Sequence, residues 1–142
     1  MNKRRFCMWL VLIVLALLLC GYIFLSLISD DALLSFKTKT EVLPRGTESI
    51  TCTLTNYSLR SFYYGETYHI EFFSDGEWAR ADEFGGVYFI LPLYTLWPLS
   101  SVTRTYNISL FSALAKPGAY RIVIEGSVAD EDYTLYCPFH VE

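Results

Sequence analysis

Charge is missing from one long stretch of this chain, and acidity from its whole beginning. No acidic residue precedes Asp30, whereas Lys3, Arg4 and Arg5 stand near the start. Phe6 to Ile28 runs for 23 residues with neither a charge nor a proline. As a helix at about 1.5 Å per residue it reaches roughly 34 Å, enough to cross a hydrocarbon core of about 30 Å. Other absences narrow the function. The chain has two histidines, His69 and His140, and no G-x-S-x-G nucleophile motif, so no hydrolytic triad is expected. His69 and Glu71 read instead as solvated residues of one strand. No Cys-x-x-Cys or matching histidine spacing points to zinc. Asp130-Glu131-Asp132 lacks the spacing and glycine of an EF-hand loop and reads as an acidic hairpin tip. There is no basic stripe, low-complexity tract or internal repeat. From Asp30 onward eight basic residues face 15 acidic ones, a net charge of −7, which argues against a nucleic-acid partner or an anionic lipid surface. No catalytic residue, cofactor site or metal site is therefore expected.

What is present begins with the apolar run. Basic residues before it place the N-terminus in the cytoplasm and the remainder outside. Three readings of the run compete. A cleaved signal peptide has an apolar core of about 7–15 residues and an A-x-A-like site; here the best site follows Ser29, with Leu27 three positions before the cut. A lipoprotein signal puts a small residue before its cysteine, but Leu19 precedes Cys20, and nine mostly apolar residues follow. Length favours an uncleaved anchor. The expected division is a basic cytoplasmic tail (1–5), a transmembrane helix (6–28), a stalk (29–35) and a folded extracytoplasmic domain (36–142).

The domain is written in short alternating runs. Leu34–Thr40 suggests an edge strand guarded by its lysines. In Glu48–Thr55, Ile50, Cys52 and Leu54 point one way and the threonines the other, the period of a half-buried strand. Asn56–Glu66 reads as a tyrosine-rich loop and Thr67–Phe73 as the next strand. Asp75-Gly76 predicts a tight hairpin, because both residues tolerate positive φ. Further strands are expected at Val87–Leu91, Val102–Leu110, Tyr120–Glu125 and Tyr133–Val141, with a helical turn at Phe111–Ala115. Leu135, Cys137, Phe139 and Val141 should face inward. Seven or eight strands with frequent turn signals and no helical period describe an all-β antiparallel sandwich. A domain of this size buries roughly two-thirds of its unfolded surface and needs no metal or disulfide to fold.

Two sets of residues carry a resemblance. Gly118-Ala119-Tyr120-Arg121-Ile122 resembles the turn that opens strand F of immunoglobulin-type sandwiches, with Tyr120 placed for a tyrosine corner. Ile122 stands where antibody domains have a cysteine, and the presumed strand C lacks a tryptophan. The order Cys52-Thr53-Leu54-Thr55-Asn56, Tyr64-Gly65-Glu66, Asp75-Gly76-Glu77-Trp78, Lys116-Pro117-Gly118-Ala119-Tyr120 is similar to a family of bacterial immunoglobulin-like domains in exported or membrane-tethered proteins. That resemblance implies an Ig-like fold and an envelope location, but no activity and no site residues.

Candidate sites are few. Cys52 and Cys137 lie on inward faces and either form an inter-sheet disulfide in an oxidising compartment or stay as two buried thiols that never meet. Tyr57, Tyr63, Tyr64, Tyr94 and Trp97 are candidates for a binding patch. For the first three, beside Phe62, the alternative is a loop packed on the sandwich end. Tyr94 and Trp97, with Leu96 and Leu99, either cap the sandwich or face a partner or membrane. Asn56-Tyr57-Ser58 and Asn107-Ile108-Ser109 match the glycosylation sequon. The expected function is a membrane-anchored, non-catalytic interaction module contacting an unidentified protein or envelope polymer, with the bilayer held through residues 6–28. The alternative is an accessory subunit whose helix pairs with a membrane partner, but the run has no small-xxx-small face and no buried charge.

Overall fold

Apolar residues in an unbroken run form one helix, and alternating ones form the strands that follow. The computed structural model describes residues 3–27, 33–81, 92–109, 111 and 116–142. The helix α1 (Lys3–Leu27) has no acidic residue in its first turn and contains the span Cys7–Phe24, of mean hydropathy 2.7. None of that span is buried against the rest of the chain. A helix that is apolar on every side and exposed along its span has the make-up of a membrane span or a signal sequence.

Nine strands follow among the described residues, rather than seven or eight: β1 (Leu34–Thr38), β2 (Val42–Leu43), β3 (Ser49–Asn56), β4 (Phe62–Ser74), β5 (Glu77–Arg80), β6 (Tyr94–Leu96), β7 (Ser100–Asn107), β8 (Gly118–Val128) and β9 (Glu131–Val141). The small sheet has the order β1-β3-β7 and the large one β2-β9-β8-β4-β5, with β6 also pairing the start of β4. All pairs are antiparallel except β2 on β9, where Val42 and Leu43 run parallel to His140 and Val141. A two-residue strand carries no periodic signal, which is why the sequence does not announce it. The expected strand at Val87–Leu91 and the helical turn at Phe111–Ala115 fall mostly or wholly outside the described residues.

Between the sheets, Ile50, Cys52 and Leu54 of β3 face Ile122 and Ile124 of β8 and Leu135, Cys137 and Phe139 of β9, all buried. Rings fill the wider gaps. Phe36 and Tyr106 meet edge to face with centroids 5.7 Å apart, and Tyr68 and Tyr106 do so at 5.0 Å. Such T-shaped pairs bring a positive ring edge to a negative ring face. The tyrosine corner is present: the Tyr120 hydroxyl donates to the Lys116 carbonyl at 2.8 Å.

Two local devices shape the large sheet. Asp75 (φ 53°) and Gly76 (φ 88°) make the expected hairpin turn, pairing Phe73 with Trp78. Between Tyr64 and Tyr68, β4 takes four steps while β8 takes two, from Gly126 to Ile124. This bulge lets Tyr64 and Tyr68 both pack in the core while Gly65 to Thr67 are pushed off the ladder. At Gly126 a side chain is excluded, because a Cβ there would run into the Phe62 ring and the Tyr63 carbonyl oxygen.

Candidate functional site

The bulge in β4 makes a hollow on the outer face of the large sheet. Pairing sets Tyr63 opposite Ser127, Glu125 opposite Thr134, and Ser127 opposite Asp132. With Gly65, Leu93, Gly126 and Tyr133 these residues line an open cleft of about 490 Å³. A smaller hollow of about 170 Å³, lined by Gly65, Thr67, His69, Val123 and Glu125, adjoins it and shares Gly65 and Glu125. Glu125, Asp132, Thr134 and Tyr63 are exposed to solvent. Beside exposed Leu93, the polar part of the lining is carboxylate, hydroxyl and phenol, suited to a ligand rich in hydrogen-bond donors.

Further along the same face, Glu71 on β4 stands opposite Arg121 on β8. Arg121 donates from Nε to Glu71 Oε2 at 2.6 Å, and its terminal nitrogen lies equally close to that oxygen. The other carboxylate oxygen meets His69 Nε2 at 3.3 Å. The guanidinium carbon sits 4.2 Å from the Trp78 ring centroid and 4.1 Å from that of Tyr136. A planar cation between two rings, with a carboxylate at its edge, is held against rotation. Arg121 is thus engaged by its own neighbours, and His69 and Glu71, read from the sequence as solvated, are largely covered members of this network. Neither Trp78 nor Arg121 is singled out as a site residue by the sequence, since their meeting depends on strand register.

The five patch residues divide. Tyr63, Tyr57 and Trp97 are exposed, at 40%, 55% and 68%. Tyr64 is buried, and Tyr94 is half-buried against the core. The expectation fails for these two because β4 begins at Phe62, not Thr67; alternation then sends Phe62 and Tyr64 inward and Tyr63 outward. Tyr64 pairs with Tyr94 on β6, and Arg104 covers both rings, 3.7 Å from the Tyr94 centroid and 5.3 Å from that of Tyr64. Leu96 is likewise core, whereas Leu99 is exposed. Tyr63 lies in the cleft; Tyr57, Trp97 and Leu99 lie at one end of the sandwich.

The two outer cysteines meet. Cys52 on β3 and Cys137 on β9 bring their sulfurs to 3.3 Å across the core, both essentially without solvent exposure. The contact with Cys137, then burial, pushes the Cys52 thiol above its ordinary range. Burial likewise raises Tyr68 and Tyr106. Asn56 is fully buried, which closes the first sequon to modification; Asn107 is exposed. Among the described residues, no three histidine, cysteine or acidic side chains gather as metal ligands.

Comparison with known proteins gives a family model and several structural likenesses. The model described as "Bacterial Ig-like domain" matches residues 30–140. The chain is similar to the periplasmic chaperone SfaE, with 11% identity and a TM-score of 0.49 over 77% of this chain and 57% of that one. It is similar to the Bacillus subtilis sporulation control protein Spo0M, with 12% identity and a TM-score of 0.40 over 77% of this chain and 48% of that one. A PapD-like domain of human CEP192 shows 11% identity and a TM-score of 0.37, over 81% of this chain and 87% of that one. No curated protein sequence matches this chain. The chain spans little more than half the length of SfaE.

Proposed function

From the premise that this chain belongs to the bacterial Ig-like domain family, we propose that it is a non-catalytic binding module carried outside the cytoplasm by an uncleaved α1. Its partner is an extracytoplasmic protein or envelope polymer that presents hydrogen-bond donors to the outer face of the large sheet. The observation that carries this reading is the cleft over Gly65 and Glu125, where exposed Tyr63, Glu125 and Asp132 surround a hollow of ligand size. The anchor supports the location: the basic start and the length of the apolar span fit a cytoplasmic N-terminus with the domain outside.

Site-specific crosslinking tests it. A photoreactive residue replacing Tyr63 in the full-length chain, expressed in intact cells, should give a defined adduct. The same residue replacing Thr103, on the opposite sheet, should not. Adding Glu125→Gln and Asp132→Asn should abolish the Tyr63 adduct without changing the amount of folded protein in the membrane. Adducts at both positions alike, or at Thr103 alone, would move the binding face elsewhere.

A further inference from the structure

The end of the sandwich where the chain arrives from α1 carries apolar side chains that the fold does not bury. Tyr57, Trp97 and Leu99 are 55%, 68% and 66% exposed. They sit on two turns locked together beneath them. The buried side chain of Asn56 donates to the carbonyls of Arg60, Leu96 and Trp97 at 2.7, 3.2 and 3.3 Å, and its oxygen accepts from the Ser58 backbone at 2.9 Å. The Leu99 amide donates to the Ser58 carbonyl at 3.3 Å. These side chains are presented by a rigid base.

Two further observations bear on what covers them. In the turn Trp97-Pro98-Leu99-Ser100, Leu99 has φ 54°, a left-handed conformation that favours glycine or asparagine. An exposed leucine there serves neither the turn nor the core. The second observation is position. Tyr57 donates its amide to the Leu33 carbonyl at 2.8 Å, and Leu34 pairs with Asn56. Leu33 is only six residues beyond Leu27, the last residue of α1. Six residues fully extended span at most about 20–22 Å.

We propose that the Tyr57–Trp97–Leu99 end of the domain docks on the lipid bilayer, with Trp97 and Tyr57 at headgroup level. The inference rests on the reading that α1 remains in the membrane; given that, the tether keeps this end within about 20–22 Å of the end of α1, so it is the end turned toward the surface. Tryptophan and tyrosine favour this depth, having an apolar body and a polar tip. The residues 56–62 and 93–101 contain one charge, Arg60, and no carboxylate. At the same end of the large sheet, however, the β8–β9 turn and the start of β9 carry Asp130, Glu131 and Asp132. Docking therefore works by apolar insertion and gains nothing from anionic lipid. It also fixes the tilt of the domain.

Single-tryptophan versions of the full chain, reconstituted in phosphatidylcholine vesicles, test this with lipids brominated at different depths. Trp97 alone (with Trp9→Phe and Trp78→Phe) should emit at shorter wavelength than Trp78 alone, and should lose most of its emission to shallow bromines. Leu99→Glu should restore that emission, and phosphatidylglycerol should leave the quenching unchanged or weaker. Trp9 alone reports the anchor through quenching by shallow bromines, since it stands only three residues, about 4.5 Å, inside the span. Trp9 quenched with Trp97 unquenched overturns the docking and leaves the anchor standing. Trp9 unquenched overturns both, and docking that requires phosphatidylglycerol overturns the apolar mechanism.

Discussion

The two sheets are built from the same alternation and end with opposite outer faces. On the small sheet, Thr51 and Thr105 bring their hydroxyls to 3.1 Å, and Thr53 and Thr103 to 3.0 Å, across paired strands. Ser49, Thr55, Ser101 and Asn107 continue the same face, and Lys37 supplies its single charge. These side chains are short and satisfy one another, so the surface is level. On the large sheet the bulge at Gly65 to Thr67, together with the long side chains of Arg121, Trp78 and Tyr136, produces relief: a hollow beside a braced cation. Relief gives a ligand more contact area than a level face can, which is why the proposed binding face is that of the large sheet.

The largest expected effect comes from joining the two sheets covalently. Protein recovered from an oxidising compartment should be two hydrogens lighter than its fully reduced form, with the bond mapped to Cys52 and Cys137. Closing a loop of about 85 residues should stabilise the domain by roughly 4–5 kcal/mol in the chain-entropy model. Denaturant titration with and without reductant measures it. Unchanged stability and intact thiols would mean that the sheets rely on packing alone.

Next in size is Gly126→Ala, which strikes the large sheet only. The added methyl meets the Phe62 ring, fully buried and stacked on Tyr64, and the Tyr63 carbonyl, which cannot move without its strand. A loss of about 3 kcal/mol is expected, at or beyond the upper end for overpacking because backbone must shift. Arg121→Ala should cost less, about 1–2 kcal/mol, since the pair with Glu71 is partly open to water and the rings keep some of their cover. Glu71→Gln at the same site should cost less again. A loss above that of Gly126→Ala would make the cation, not the core beneath it, the main support of this face.

Much of this architecture is legible in the residues, and the failures have two causes. Ile50, Cys52 and Leu54, and Leu135 to Val141, show their inward faces by alternation alone, and Asp75-Gly76 shows its turn by backbone tolerance. The early start of β4 is hidden because Phe62-Tyr63-Tyr64 is aromatic throughout, so period two leaves no contrast to read. The bulge, the Arg121 bracket and the parallel pairing of β2 all depend on register between distant strands. The candidate cleft belongs to that second kind. Tyr63 is legible as a residue, but its neighbours Glu125 and Asp132 join it only through the pairing of β4, β8 and β9.

The smallest effect is expected on the level face. Thr53→Val with Thr103→Val removes both members of one hydroxyl pair and keeps the shape, so no donor is left facing an absent partner. Valine suits a strand as well as threonine does, and the site stays partly wet. The double variant should match the parent within about 0.5 kcal/mol, a surface-sized change. The single variant Thr103→Val should be nearly as mild, because Thr53, half-exposed, can turn its hydroxyl to water. Adduct formation from position 63 should persist in both. If the double variant instead kept its melting temperature but lost the partner, the hydroxyl ladder would be the recognition surface. The relief of the large sheet would then be a consequence of packing rather than its purpose.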